Sequence, residues 1–364
     1  IRRPPRSTQG VSSAASDVYK RQVQYSGVNQ EHINVRNNVG VFDVSHMGEF
    51  IVKGENALKL IQKISSNDAS TLFPGRAQYS YLPNSEGGIV DDMLVYMIEE
   101  NHYMLVVNAS NIEKDWNWIS IQNTMGAELS NISENLSLIA VQGPKAVELL
   151  QNYTDLNLSA IKFYHFQKGT FAGYNDIIIS ATGYTGSGGF ELYVPNSYAE
   201  EIWDLIFSSG PKYNVLPTGL AARDTLRLEM GYCLYGNDIN DHTSPISAGL
   251  SWVTKFNKEF IGKDIIQNHK LQGTQNKLVA FELLERGIPR KDYEITNADG
   301  KLIGKVTSGT MGPSVRKAIG MGYVNSNFSN FGNSIFINIR NKSITCLLYT
   351  SPSPRDKRQS RMPS

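Results

Sequence analysis

Hydrophobic and polar residues alternate at two different periods along the central part of the chain. Period-two alternation or short apolar runs predict strands, and apolar residues at helical spacing predict helices. The predicted strands of the first half are residues 39–52, 78–82, 88–97, 103–108 and 136–142. The predicted helices of the first half are residues 55–65, 109–122 and 145–152.

The second half continues this mixed pattern and then changes. Strands are predicted at 170–182 and 190–194, and helices at 198–209 and 220–229. Residues 231–249 are rich in Gly, Asn and Asp, which marks a long loop. Long loops inside compact domains are often functional.

From about Lys277 onwards the pattern contains short strands only. They are predicted at residues 278–284, 293–296, 301–308, 319–324 and 335–339. Asn297-Ala298-Asp299-Gly300 is a hairpin-turn sequence. Short strands at near-regular spacing favour a small β-barrel or sandwich, with a domain boundary in the polar segment 267–276.

The composition of the chain argues against several classes of protein. The 364 residues carry 35 basic and 34 acidic side chains, for a net charge of +1. Such a balance gives no general attraction to nucleic acid or anionic lipid, and no apolar run approaches the roughly 18 residues of a membrane helix. Two cysteines, Cys233 and Cys346, allow at most one disulfide, which fits a reducing compartment. We therefore expect a soluble protein with no nucleic-acid or membrane partner.

The two ends have a different composition from the centre. Residues 1–22 are rich in Arg, Ser and Pro, as in a mitochondrial transit peptide, but lack an amphipathic stripe of large apolar residues. They resemble translated adapter or vector sequence, as do residues 346–364. We interpret both segments as non-native peptide, and expect them to be disordered or poorly packed because they offer little apolar surface.

Adjacent acids interrupt the predicted strand 88–97. Side chains alternate along a strand, so Asp91 shares a face with Met93, and Asp92 shares the opposite face with Leu94. At least one carboxylate must then point into a protein-lined space, where it is costly unless paired, hydrogen-bonded or protonated. It is either a structural group with a local partner or a group kept for chemistry.

Three further polar features have two interpretations each. Glu191, in a predicted strand, is a solvent-side residue or a ligand-binding carboxylate. Asn108 ends a strand and is a turn residue or a site residue. Arg223 and Arg227 lie one helical turn apart, and either pair with nearby acids (Asp224 or Glu229) or clamp an anionic ligand.

Three other sequence features give weaker indications of a functional site. The glycine-rich segment 183–189 lacks the ending of a phosphate loop and the spacing of a dinucleotide fingerprint, so it is interpreted as a tight connection between strands. The six histidines are scattered and none forms a zinc-type pair, so no metal site is predicted. Asp43, Ser45 and His46 are too close in sequence for a catalytic triad, and structural hydrogen bonding is favoured.

Five ordered segments carry a family resemblance. They are VGVFDVSHMGEF (39–50), GGIVDDMLVY (87–96), ATGYTGSGGFELYVP (181–195), GLAARDTLRLEMGYCLYGNDIN (219–240) and IGKVTSGTMGPS (303–314). In order and spacing they are similar to the T-protein family of the glycine cleavage system, and the resemblance covers nearly all of residues 23–345. Five ordered motifs are far more specific than one.

The resemblance implies an α+β fold shaped as a three-lobed cloverleaf. Residues 23–266 would form a folate-binding region of two mixed α/β lobes with antiparallel sheets, and residues 277–345 a small C-terminal β-barrel. The family reaction takes an aminomethyl group from the lipoyl arm of H-protein, releases ammonia and gives the methylene group to tetrahydrofolate. The implied partners are lipoylated H-protein, tetrahydrofolate as co-substrate and the other glycine cleavage components, with no metal and no flavin. The implied location is the bacterial cytoplasm, with the mitochondrial matrix as the alternative.

The resemblance also assigns roles to residues. Asp92 would be catalytic, hydrogen-bonding or deprotonating a reacting pterin nitrogen or stabilising a developing cation. Glu191 would bind the amino-pyrimidine edge of the pterin, Arg223 the folate glutamate tail, and Met47 would pack on the ring. The expected channel-lining contacts are Tyr79, Tyr96, Asn108 and Tyr184. Asp91 would have a structural role.

Three other functions share this fold. A folate-binding regulatory protein usually carries a Cys-containing lysine-glycine motif, which is not found in this sequence. The folate-binding half of a flavin-dependent methylamine oxidase would need a dinucleotide fingerprint, which is also not found. A related folate-dependent demethylase stays open, because a fold does not fix a substrate. Ser187 and Gly188 stand where the family usually has acidic residues, so the polarity of that loop differs.

Overall fold

A computed structural model describes residues 22–340 and 342–349 of the chain. Within them, the helices are α1 Val28–Asn37, α2 Ala57–Ile64, α3 Ile112–Gln122, α4 Ala146–Leu150, α5 Asn196–Ser208, α6 Gly210–Tyr213, α7 Leu220–Met230 and α8 Lys263–Gln272. The strands are β1 Val39–Asp43, β2 Gly48–Lys53, β3 Arg76–Pro83, β4 Ile89–Glu99, β5 His102–Val107, β6 Glu128–Asn131, β7 Leu136–Gln142, β8 Phe166–Phe171, β9 Tyr174–Ser180, β10 Gly189–Pro195, β11 Val215–Pro217, β12 Asn276–Leu283, β13 Glu294–Thr296, β14 Leu302–Gly312, β15 Lys317–Asn325, β16 Ser334–Ile339 and β17 Lys342–Tyr349.

The first lobe is a five-stranded antiparallel sheet in the order β3-β4-β5-β2-β6. One face packs on the apolar sides of α2 and α3, where Leu60, Ile64, Met93 and Val95 are buried together. The opposite face carries Leu94, which belongs to the cluster between the lobes. The alternation of side chains along β4 therefore sends Asp92 towards the second lobe.

The second lobe is a six-stranded sheet in the order β11-β1-β7-β10-β9-β8. Its strand pairs are antiparallel except β1 with β11, which is parallel. The predicted strand 170–182 is a hairpin of β8 and β9, which turns at Ala172 and Gly173, both with positive φ. The chain leaves this sheet after β1, builds the first lobe, and returns at β7, so the two lobes are interleaved in sequence.

The third lobe is a closed barrel in the order β12-β15-β14-β13-β16-β17. Val279, Phe281, Ile295 and Ile337 are among the buried residues of its core. Asn297 N–H donates to the Lys301 carbonyl, and β13 pairs with β14 on either side of this turn. The hairpin predicted at Asn297–Gly300 is therefore present, and the prediction of a small β-barrel is confirmed.

One predicted boundary of the barrel differs from the structure. The barrel was expected to end at residue 345, but β17 continues to Tyr349, and Cys346 and Leu348 are fully buried between β12 and β16. These residues alternate with outward-facing neighbours, which suits the closing strand of a barrel. The boundary placed in the polar segment 267–276 lies between the end of α8 at Gln272 and the start of β12 at Asn276. Residues 1–21 and 350–364 lie outside the described residues, and their non-native origin stays a prediction.

A buried arginine joins α7, the loop 231–249 and the barrel. Arg227, 1% exposed, donates to Asp238 Oδ2 at 2.7 Å and to Ser308 Oγ at 2.8 Å. It also donates to Asp224 Oδ1 at 2.7 Å. Of the two acids considered in the sequence, Asp224 is therefore the partner of Arg227, whereas Glu229 pairs with His32 and Arg36.

We expect Arg227→Met to destabilise the protein by about 3–5 kcal/mol, because it leaves the buried Asp238 carboxylate without its cation. The matched control is Lys168→Met, which breaks the exposed pair between Lys168 and Asp176 and should cost about 0–1 kcal/mol. Urea unfolding of both variants measures the difference. Equal effects would show that the Arg227 pair does not hold the lobes together.

Candidate functional site

The three lobes surround a cavity of about 820 Å³. Asp92 and Leu94 on β4 and Glu191 on β10 are among the residues that line it. Another part of the wall comes from the loop after α7, and the barrel contributes Leu278 and Met321. Within the described residues, this is a largely apolar space into which a few polar groups converge, as is usual for a small-molecule site.

Asp92 is held by two donors at the first-lobe wall. The Tyr79 hydroxyl donates to Asp92 Oδ2 at 2.8 Å, and Asn108 Nδ2 donates to Asp92 Oδ1 at 2.8 Å. Burial, reinforced by the neighbouring charge of Asp91, raises the pKa of Asp92 to about 7. A carboxyl group with such a pKa can both accept and release a proton near neutral pH.

Asp91 points to the other side of β4. It is fully buried and accepts hydrogen bonds from Asn108 N at 3.0 Å, Asn108 Nδ2 at 2.8 Å and Asn111 Nδ2 at 2.8 Å. The side chain of Asn108 thus bridges Asp91 and Asp92. The two neighbouring carboxyl groups have different surroundings because the strand places them on opposite faces.

Glu191 belongs to the second-lobe sheet and lines the cavity. Burial raises the pKa of its carboxyl group, whereas the hydrogen bond from the Thr182 hydroxyl and the positive charge of Arg223 lower it. The Arg223 guanidinium lies 4.5 Å from the centre of the Tyr184 ring, within cation–π distance. The Tyr184 hydroxyl donates to the Cys233 carbonyl. A carboxyl group and a positive charge therefore occupy the same cavity.

The glycine-rich segment 183–189 is the connection between β9 and β10 and also part of the cavity wall. Gly183, Gly186, Gly188 and Gly189 have positive φ values, which L side chains rarely adopt. A Cβ atom on Gly183 would lie 2.1 Å from Gln142 Oε1. The glycines thus permit a backbone path that presents Tyr184 to the cavity.

Comparison with known proteins assigns the family. The model of the GCVT N-terminal domain matches residues 6–258, and that of the glycine cleavage T-protein C-terminal barrel domain matches residues 276–353. The chain belongs to the glycine cleavage T-protein family. The three-lobed cloverleaf is confirmed, and the enzyme is an aminomethyltransferase of glycine cleavage, as its five motifs predicted.

Relatives with high identity agree with this assignment. An aminomethyltransferase of Flavobacterium psychrophilum is 59% identical over 92% of this chain and 93% of its own length. One of Porphyromonas gingivalis is 56% identical over 92% and 93%. The crystal structure of glycine cleavage system aminomethyltransferase T from Bartonella henselae has a TM-score of 0.85 and 32% identity, covering 91% of this chain and 90% of its own. A folate-binding regulatory protein is therefore not favoured.

One predicted contact of the enzyme does not reach the cavity. Tyr96 was expected to line it, but its side chain is fully buried and absent from the wall. The Tyr193 hydroxyl donates to the Tyr96 hydroxyl at 3.0 Å, and the Phe166 and Tyr193 rings lie 5.2 and 5.6 Å from the Tyr96 ring. Tyr96 shares the face of Asp92, but it lies where the two sheets pack together, so neighbouring rings cover it.

The other predicted site residues do line the cavity, and the structure adds several more. Met47, Tyr79, Asp92, Asn108, Tyr184, Glu191 and Arg223 all contribute to the wall. Trp252 was missed in the sequence, although its ring stacks on Tyr79 with centroids 5.9 Å apart and an interplanar angle of 15°. No periodic pattern marks Trp252, because it lies in the 3₁₀ turn Leu250–Val253. Only the packing of that turn brings it to the site.

Two properties of the described residues are relevant to other functions. They contain no group of three or more His, Cys, Asp or Glu side chains that could hold a metal ion. None of their helices is both long enough and apolar enough to cross a membrane.

Cys233 is a further residue of the cavity wall. Burial raises the pKa of the Cys233 thiol, so this residue stays protonated at neutral pH.

The pKa of Asp92 makes stability depend on pH. Since the folded-state pKa is raised from 3.8 to about 7, the stability contributed by protonated Asp92 is lost progressively as pH rises from about 4 through 7. We expect Asp92→Asn to be more stable than the parent by roughly 4 kcal/mol above pH 8, with the difference disappearing towards pH 4. Thermal unfolding across this pH range measures it. A difference that does not change with pH would contradict the raised pKa.

Proposed function

We propose that the enzyme transfers the methylene group of an aminomethyl group, carried on the lipoyl arm of H-protein, to tetrahydrofolate. Ammonia is released and dihydrolipoyl H-protein remains. The observation that carries this proposal is the convergence of Asp92, Glu191 and Arg223 on one largely apolar cavity. A reduced folate offers matching features: a flat ring with N–H donors on one edge, a reactive nitrogen and an anionic tail.

Asp92 is the proposed catalytic residue. A pKa of about 7 lets its carboxylate take up the proton that leaves a pterin nitrogen as that nitrogen attacks carbon. Tyr79 and Asn108 fix the two oxygens of Asp92, so little reorientation is needed during the proton transfer. An ionised Asp92 also favours positive charge that develops beside it.

The other wall residues are proposed to bind and orient the folate. A carboxylate at Glu191 can accept hydrogen bonds from two adjacent N–H groups of the amino-pyrimidine edge. Arg223, held over the Tyr184 ring, would meet the carboxylates of the glutamate tail. Met47, Tyr184 and the stacked pair of Tyr79 and Trp252 provide apolar surfaces against which a flat ring can pack.

The partners follow from this reaction. We propose that lipoylated H-protein presents its arm to the cavity and that the enzyme works with the other components of glycine cleavage, without a metal or a flavin. We also propose a cytoplasmic location, supported by the bacterial origin of the aminomethyltransferases of high identity.

Substitution of Asp92 tests the catalytic role. We expect Asp92→Ala to bind tetrahydrofolate but to lose about 10²–10⁴-fold in turnover, because the proton acceptor is missing. The assay is tetrahydrofolate-dependent ammonia release from aminomethyl-loaded H-protein. The control is Asp264→Ala, an exposed acid on α8, which should keep the parent rate.

The two outcomes that would contradict the proposal are distinct. Parent-like turnover by Asp92→Ala would reject the role of Asp92. No ammonia release by the parent above a control without folate would reject the function itself.

A pair of variants tests the orientation of the folate. We expect Arg223→Met to weaken binding of tetrahydrofolate by about 1.5–3 kcal/mol but to leave binding of a tetrahydropterin without the glutamate tail unchanged. Glu191→Gln should weaken both ligands, because both contain the amino-pyrimidine edge. Isothermal titration calorimetry measures the four affinities. If Arg223→Met weakened both ligands equally, Arg223 would not bind the tail.

A further inference from the structure

A third carboxyl group lies behind the site. Asp115 on α3 is fully buried, and neither of its oxygens receives a hydrogen bond from an N–H or O–H donor among the described residues. A buried carboxylate without donors or a cation is strongly unfavourable. The local structure therefore has to supply either a positive charge or a proton.

The adjacent cation is engaged elsewhere. Lys114 Nζ donates to the Val90 carbonyl, to the Tyr235 hydroxyl at 2.7 Å and to Asp241 Oδ2 at 3.3 Å. Its charge acts on Asp115 only weakly compared with burial and the charge of Asp91. A positive charge is therefore not what neutralises Asp115.

The contact between Asp115 and Asp91 is favourable only if one of the two carboxyl groups carries a proton. These two side chains lie within reach of each other, and two carboxyl groups can share a hydrogen bond only if one of them is protonated. Asp91 already accepts three N–H bonds, whereas Asp115 accepts none from the N–H and O–H donors of the described residues. Burial and the charge of Asp91 raise the pKa of Asp115 to about 11, so Asp115 is the partner that keeps the proton.

The contact between Asp115 and Asp91 is connected to Asp92 through the side chain of Asn108. Asp115 interacts with Asp91, Asp91 accepts a hydrogen bond from the amide of Asn108, and this amide donates to Asp92 Oδ1 at 2.8 Å. The orientation of Asn108, and with it that of Asp92, thus depends on Asp91 being held in place.

We propose that Asp115 is a positioning residue, which stays protonated at neutral pH and donates its proton to Asp91, so that Asn108 and Asp92 are held ready for proton transfer. The catalytic part of this proposal rests on the proposed function, whereas the protonation of Asp115 does not. The ionisable groups that act on Asp115 are Asp91, Asp92, Lys114 and the hydroxyl of Tyr235, which also bonds Asp241.

The first experiment detects the proton directly and needs no substrate. Infrared spectra of the parent at about pH 9, where Asp92 is ionised, should contain a protonated-carboxyl C=O band that is lost in Asp115→Asn. Glu49→Gln is the matched control, because Glu49 is a second buried acid whose pKa is raised by burial, and it lies on β2 rather than against Asp91. Its substitution should leave the band of Asp115 in place. A spectrum of Asp115→Asn that loses no such band would overturn the proposal.

The second experiment measures the pH profile of kcat/KM. An asparagine replaces a protonated aspartate without a change of charge and keeps a donor for Asp91. Asp115→Asn should therefore retain the parent turnover and the limb of the profile near pH 7. If Asp115 were ionised, its removal would lower the pKa of Asp92 and move this limb to lower pH, which would also overturn the proposal.

Asp115→Leu removes the donor and completes the test. We expect kcat to fall at least about 10-fold with little change in tetrahydrofolate affinity, because Glu191 and Arg223 are untouched. The fall in kcat should be similar at every pH, and Asp115→Asn, which keeps a donor, should show the parent kcat. A merely structural role would lower the stability of Asp115→Leu but leave the kcat of the folded enzyme unchanged, which would overturn the proposal. Failure of the parent to transfer the methylene group would affect these kinetic experiments but not the infrared experiment.

Discussion

The buried ion pair between Arg227 and Asp238 is the interaction on which the arrangement of the lobes depends. A buried pair is favourable only when its remaining donors and acceptors are satisfied. Here the partners come from α7, from the loop after it and from Ser308 on the barrel, so satisfying the charges also fixes these three parts. Part of the cavity wall is this same loop, with Tyr232 and Cys233. The geometry of the site is therefore a consequence of how these buried charges are satisfied.

Inside the cavity, burial raises the pKa of carboxyl groups instead of enclosing an ion pair. The carboxyl groups of Asp92 and Glu191 are enclosed without a direct ion pair to any described residue, and their burial raises both pKa values. The difference between them comes from their neighbours: Asp92 is adjacent in sequence to the charge of Asp91, whereas Glu191 is influenced by Arg223 and accepts a hydrogen bond from Thr182. One physical effect, the desolvation of a carboxylate, thus underlies both proposed roles, that of a proton acceptor at Asp92 and that of a ligand-binding group at Glu191.

Tyr96 and Trp252 show which features of the cavity wall cannot be predicted from the sequence. Tyr96 lies on the correct face of β4, four residues from Asp92, yet rings of the second lobe cover it. Trp252 lies in an irregular turn without a periodic pattern, yet it stacks on Tyr79 at the site. Both outcomes depend on which elements pack against each other, and periodicity within one element contains no such information.

The sequence by itself determined the local features of this protein. Period-two alternation places Asp91 and Asp92 on opposite faces of one strand, Asn297–Gly300 forms a hairpin turn, and five ordered motifs specify the family. Only the tertiary structure decided that Asp92 and Glu191, on strands of two different sheets, line one cavity, that the two lobes are interleaved, and that β17 closes the barrel. The physical reason is that periodicity reports which side of an element is apolar, whereas distances between remote residues are set by the packing of those sides against one another.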